Sequence, residues 1–196
     1  MIHNSVLDFF RNYFFALDYI LAAIVLTLIV LLYSAKRISQ FTWILYWIGV
    51  GVGLLWELPI GLLRVVGFPV AQFIESRPIL PFPFHSIVHS ITDGGIFLVG
   101  VCIVRLGFNP PYFNDFKGKE FLIFIIWGQL QSLAVEVLSL IGGGWEYIPY
   151  WWNPTLFEIN GHPFTLLPQL IWFIAPIIYY ALIINLKWIQ QYKTEN

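Results

Sequence analysis

His85, His89 and Asp93 stand four residues apart in a stretch, PFHSIVHSITDGGIFLVG, that opens polar and ends as hydrocarbon. On a helix a four-residue step turns only about 40°. The three therefore share one face, roughly a turn apart, with Thr92 beside them. Imidazoles and a carboxylate stacked this way suit a proton relay or an acid–base pair. Two histidines four apart with a carboxylate one turn on also suit a metal ion. The plain alternative, for His85 above all, is a polar helix end in the headgroup zone. Titratable groups in an apolar helix are costly, and they usually face a bundle interior or a wet cavity.

Other carboxylates sit in comparable surroundings. Glu57 follows Trp56 late in an apolar run, and Arg64, seven residues on, shares its face and either pairs with it or extends to the headgroups. Gln129, Ser132, Glu136 and Ser139 repeat at three and four residues, one polar stripe on an apolar helix. Glu136 has no basic residue on its own run, so it is either protonated or partnered across the bundle. Asp18, near the start of the first run, fits a simple helix cap. The candidate catalytic set is Glu57, His89, Asp93 and Glu136. The candidate substrate-binding set is Trp56, His85, Thr92 and Gln129, with Trp145, Trp152 and Asn153 from an aromatic connector.

Proton chemistry is the expectation for this set, with no metal and no cofactor. Ligands at 85, 89 and 93 span two turns, about 12 Å, and reach one ion only in strained rotamers. Carboxylates outnumber histidines there, and no thiolate is at hand. No nucleophile–base set, phosphate loop or dinucleotide fingerprint occurs.

The elements that position these residues follow from composition. Of 196 residues, 59% are hydrophobic and 11% charged, against about a quarter charged in a soluble domain. Five apolar runs, 13–33, 41–63, 84–104, 121–141 and 166–186, are each long enough to span a bilayer. The fold class is all-α, a single polytopic membrane domain built as a bundle of five transmembrane helices. The first run reads as a retained helix rather than a signal peptide: it is long, its leading flank is not basic, and no small-x-small cleavage site follows. Gly49 and Gly53 have the spacing that lets helices approach closely. Pro59 bends the second span, and Pro168 and Pro176 bend the fifth if both lie within it. A proline-rich loop, 68–83, delivers the third span. The connector 142–164 carries Trp145, Tyr147, Tyr150, Trp151, Trp152 and Phe157, a load that suits an interfacial anchor or a cap over a site. A net charge of −1 without a basic cluster points away from nucleic acid. Lone Cys102 makes no internal disulfide. The expected partners are a lipophilic small molecule and membrane lipid, with oligomerisation left open.

With five spans, loops alternate sides. Lys36, Arg37, Arg105, Lys117, Lys119, Lys187 and Lys193 gather on one side, and Arg11, Arg64 and Arg77 on the other. The positive-inside rule then places the C-terminus in the cytoplasm and the N-terminus outside or in a lumen. At 1.5 Å per residue, Asp18, Glu57, His89 and Glu136 lie about 7–9 Å below the outer edge and Asp93 about 13 Å. The spans' cytoplasmic halves carry no acidic residue, so the expectation is one cavity in the outer half.

The layout resembles the emopamil-binding, sterol-isomerase-like membrane proteins. The likeness rests on five spans, Trp56-Glu57 in the second, a polar third, Gly128-Gln129 with Glu136 in the fourth, and Gly161-His162-Pro163 leading into the last. One turn before the second-span glutamate the family's sterol isomerases carry a histidine. Here that position is Gly53, and the histidines lie on the third span. The resemblance implies a lipophilic sterol or amine in a bundle cavity and a double bond moved by protonation and deprotonation. A looser likeness is to the small integral-membrane terpene cyclases, which have seven spans. Isomerisation or cyclisation of a sterol- or isoprenoid-like substrate is thus one expected function. Proton, ion or small-solute transport is another, and a non-catalytic assembly subunit the third.

Overall fold

A computed structural model describes residues 2–195, with side chains described over 6–186. Five long helices run through it: α1 (Ile2–Ser34), α2 (Gln40–Val65), α3 (Phe84–Gly107), α4 (Gly118–Gly142) and α5 (Leu166–Glu195). All five are long and apolar enough to cross a membrane, as the apolar runs predict. The side chains of Lys187 and Lys193, used above for orientation, lie outside the described residues.

Helix ends explain several departures from the sequence expectation. The first helix begins well before Tyr13, and non-helical dihedrals at Tyr13 (φ −116°, ψ 15°) mark where its apolar part starts. Asp18 is therefore deep in a helix and does not cap one. Pro168 falls in the first turn of α5, where a missing N–H leaves no broken bond, so Pro176 alone is interior. α4 starts early enough to include Glu120, a buried acid at the end expected to hold none. There Tyr180 Oη donates to Glu120 Oε2 at 3.0 Å and the Phe113 N–H at 3.3 Å. These bonds satisfy the carboxylate and tie the α3–α4 loop to α5.

The connectors are folded. β1 (Ala71–Phe73), from the proline-rich loop, pairs antiparallel with β2 (Trp145–Tyr147), directly after α4. β3 (Thr155–Ile159) and β4 (His162–Thr165) form a hairpin, turning on Asn160 and Gly161 at φ 54° and 82°, the Asn-Gly geometry that matches strand twist. Glu146 joins the two sheets, accepting from Gln72 Nε2 at 2.6 Å and lying 2.7 Å from His162 Nδ1.

Away from these sheets the bundle is solid. Tyr46, Phe97, Phe124, Tyr179 and Ile183 are fully buried, and the Phe97 and Tyr179 rings stack at 4.3 Å. Tyr179 Oη donates to the Leu45 carbonyl at 3.1 Å and Tyr46 Oη to the Ile91 carbonyl at 3.2 Å, so each buried phenol is satisfied while linking two helices. α2 and α3 pack closest, because Gly94 lets the Tyr46 backbone approach: a Cβ there would stand 3.0 Å from the Tyr46 carbonyl oxygen and 2.7 Å from Val50 Cγ2. At the sheet end the bundle is hollow.

Candidate functional site

The hollow is a cavity of about 490 Å³ with residues from all five helices in its walls, a size typical of sites for small organic ligands. Asp18 comes from α1; Trp56, Glu57 and Arg64 from α2; His85, His89, Thr92 and Asp93 from α3. Gln131 and Glu136 come from α4 and Trp172 from α5. The β1–β2 sheet roofs it with Phe73, Trp145 and Tyr147. Antiparallel pairing of Phe73 with Trp145 brings the roof's two halves together. Ser139 then fixes Trp145 from below, its Oγ accepting from the Trp145 N–H and donating to the Trp145 carbonyl, both at 2.7 Å.

His89 is the centre of the polar wall. Its Nδ1 lies 3.1 Å from Asp18 Oδ2 and its Nε2 3.9 Å from Glu57 Oε1. One imidazole thus stands between carboxylates from two other helices, and the bond at Nδ1 fixes which way the ring faces. The Trp145 ring meets it edge-on at 5.1 Å. Asp93, one turn further along α3, is buried and shares the cavity. Glu136 enters from α4, and the Trp145 indole N–H donates to its Oε1 at 3.4 Å. His85 is held outside this centre, its Nδ1 3.1 Å from Tyr19 Oη and its ring against Phe15 at 5.2 Å. Tyr19 Oη also accepts from the Leu80 N–H at 3.3 Å, which ties the proline-rich loop to the pair.

Three polar atoms in the cavity wall are buried without a hydrogen-bond partner: Thr92 Oγ1, Asp93 Oδ2 and Gln131 Oε1. Buried polar atoms are nearly always paired, since leaving one unmade costs about 1–3 kcal/mol. Two of the three are acceptors, and the third is a hydroxyl. Such a cluster fits a ligand that brings its own N–H or O–H. Tyr147, in the roof and outside the spans, is buried as well. Burial first, and then the carboxyls of Glu136, Glu57 and Asp93, hold its phenol well above the ordinary tyrosine value. It is a neutral O–H at physiological pH.

Of the eleven candidate residues, Glu57, His89, Asp93, Glu136, Trp56, His85, Thr92 and Trp145 line this one cavity. Gln129, Trp152 and Asn153 do not. Gln129 Nε2 donates to the Gln169 carbonyl at 3.0 Å and holds α4 to α5. The Trp152 ring stacks on Tyr150 at 5.4 Å, half exposed. Asn153 is fully buried and structural: its Oδ1 accepts from the Leu167 N–H at 2.7 Å at the start of α5, and its Nδ2 donates to the Ile148 carbonyl at 3.0 Å. Arg64 lies with its guanidinium 3.9 Å from the Phe73 ring centroid and donates to the Ala71 carbonyl at 3.3 Å. It anchors the roof rather than pairing directly with Glu57.

Sequence reasoning missed Asp18 as a partner of His89, it missed Gln131 altogether, and it named Tyr147 only among the aromatic residues of the connector. A signal existed for Asp18, a carboxylate inside an apolar run. Among the described residues no group of three or more His, Cys, Asp or Glu side chains is arranged to hold a metal ion. No family model matches the chain, and neither a curated protein nor a solved structure matches it.

Proposed function

We propose that the protein is an acid–base enzyme acting on a lipophilic, sterol- or isoprenoid-like substrate within the bilayer. The observation that carries this reading is the meeting of Asp18, Glu57, His89, Asp93 and Glu136, drawn from four helices, in one cavity otherwise lined by apolar and aromatic side chains. In the reaction class this arrangement suits, a carboxylic acid gives its proton to one carbon of a C=C bond. The rings of Trp56, Trp145 and Trp172 steady the resulting carbocation. A carboxylate or imidazole then removes a proton from a neighbouring carbon. One proton enters and one leaves, the double bond shifts, and no electrons are exchanged. Cyclisation begins with the same protonation, the cation being captured by a second double bond before the proton leaves.

Asp93 from α3 and Glu136 from α4, in the same cavity, serve as donor and acceptor. His89, oriented by Asp18, passes protons to and from Glu57. The layout's resemblance to the emopamil-binding, sterol-isomerase-like proteins supports the same chemistry with a different placement of groups. Where that family's isomerases carry a histidine, a Cβ on Gly53 would lie 2.5 Å from Asp93 Oδ2. Here the Asp93 carboxylate occupies the space beside that position. Transport is the weaker reading, because the packed rings of Tyr46, Phe97, Phe124 and Tyr179 continue the bundle below the cavity and offer no polar trail. The positive-inside rule supports a cavity in the half of the membrane away from the cytoplasm, with the C-terminus cytoplasmic.

The test is lipid extraction from cells expressing the wild type, Asp93→Asn or Glu136→Gln. A sterol or isoprenoid isomer made by the wild type and lost in both variants is expected. An unchanged lipid profile, with an altered proton or ion gradient, would overturn the proposal in favour of transport.

A further inference from the structure

We infer that the ligand reaches the cavity sideways from the bilayer, through a slot between α1 and α4, with its polar head inward and its tail left among the lipids. The inference rests on the ligand-binding reading above and adds the route and the part of the ligand that is read.

The cavity's walls differ in chemistry from one side to the other. Its deep wall holds the polar groups of α2 and α3, including the unpartnered Thr92 Oγ1 and Asp93 Oδ2, with Gln131 Oε1 facing them from α4. Apart from Asp18 and Glu136, its remaining wall is hydrocarbon, from α1 and α4. Three of those residues, Phe10 (48% exposed), Leu21 (48%) and Leu138 (63%), line the cavity and the outer surface of the bundle at once. At these residues the wall between cavity and surface is a single side chain thick. All three lie within helices long enough to cross the membrane, so this thin wall faces lipid.

The sheet end of the cavity is covered. The β1–β2 sheet covers the top with Phe73, Trp145 and Tyr147. α1 is pinned to the far end of α4 above the slot. Arg11 Nε donates to the Ile141 carbonyl at 3.3 Å, and the Phe14 ring fits so closely over Gly142 and Gly144 that a Cβ on either would stand 2.5–2.8 Å from it. Asp18–His89 and Tyr19–His85 pin α1 to α3. Leu21 and Leu138 lie on the bundle side of the α1–α4 pin, and Phe10, one residue before Arg11, at its outer edge.

An amphiphile fits this geometry in one orientation. Its head brings a hydrogen-bond donor, a hydroxyl or an amine, to the unpartnered Gln131 Oε1, and the double bond beside it is left to the Asp93 carboxyl. Its tail lies in a slot open to lipid. The protein therefore reads the head closely and the tail length hardly at all.

The experiment uses the full chain in lipid nanodiscs and two photoreactive long-chain primary alcohols, one with a diazirine beside the hydroxyl and one with it at the far end. The first is expected to label the region of Thr92, Asp93 and Gln131, and the second Phe10, Leu21 or Leu138, both competed by unlabelled alcohol. Leu21→Trp with Leu138→Trp, both at lipid-exposed positions, should slow labelling by the first probe about tenfold. Ile24→Trp with Leu130→Trp, as exposed on the same two helices but off the cavity, should leave it unchanged. Cavity labelling with the far end found on 142–164 or β1, or undiminished in the slot variant, overturns the route and leaves the cavity reading intact. No competable label in the cavity overturns both.

Discussion

Gly53→Ala tests whether Asp93 is held where the account needs it. A Cβ at residue 53 would lie 2.5 Å from Asp93 Oδ2 and 2.9 Å from Asp93 Cβ, where ordinary contact begins at 3.4 Å. The carboxylate must retreat by 3.4 − 2.5 = 0.9 Å and its Cβ by 3.4 − 2.9 = 0.5 Å. The first shift is within reach of a rotamer change, but the second requires α3 to move from α2. Their spacing is set only one and two turns away by Gly94 against Tyr46 and Val50. Overpacking of this kind costs about 1–3 kcal/mol. A shift of about 1 Å in a reacting group costs about a hundredfold in rate. The assay is a double-mutant cycle by thermal unfolding in detergent, with Gly53→Ala in wild-type and Asp93→Gly backgrounds. Removing the Asp93 side chain removes both close contacts, so Gly53→Ala should become nearly neutral there, with a coupling energy of about 1–3 kcal/mol. Equal costs in the two backgrounds would show that the alanine meets something other than Asp93, and the reasoning fails.

Other substitutions separate the parts of the site. Ser139→Ala removes both 2.7 Å bonds to the Trp145 backbone and should destabilise the protein by about 1–3 kcal/mol in the same unfolding assay; a neutral result would mean that the sheet alone holds the roof. Asp18→Ala leaves His89 Nδ1 without its 3.1 Å partner and should cost about 1–3 kcal/mol, whereas Asp18→Asn, which keeps an oxygen there, should cost less. Purified protein is expected to carry no stoichiometric metal by elemental analysis, and about one zinc or iron per chain, lost on His89→Ala, would contradict the proton chemistry.

The five helices were legible because a bilayer demands long apolar runs, and this chain has five of them, broken only by a few polar or ionisable residues. The catalytic candidates were legible for the converse reason: Glu57, His89, Asp93 and Glu136 are ionisable groups where hydrocarbon is expected. Neighbourhood was harder to read. Asp18 looks like a cap when the helix is taken to begin at Tyr13, and becomes a partner of His89 only once α1 is seen to start at Ile2 and to lean on α3. Gln131 was passed over because it is two residues from Gln129, about 200° around the helix, so a stripe through Gln129 and Glu136 excludes it. In the structure Gln131 faces the cavity and Gln129 faces α5. Tyr147, Trp152 and Asn153 belong to a connector whose course depends on β1, a strand of three residues contributed from more than seventy positions earlier. Nothing local in the connector says which of its aromatic rings turns inward.

The most direct measurement of the central claim is solvent deuterium incorporation. Membranes containing the wild-type protein, supplied in heavy water with the lipid fraction that it alters, should yield product carrying one deuterium at the carbon protonated by the acid. Membranes containing Asp93→Asn or Glu136→Gln should give neither the product nor the label. A product free of deuterium formed by the wild type, or labelled product formed equally by both variants, would contradict protonation by these carboxylates.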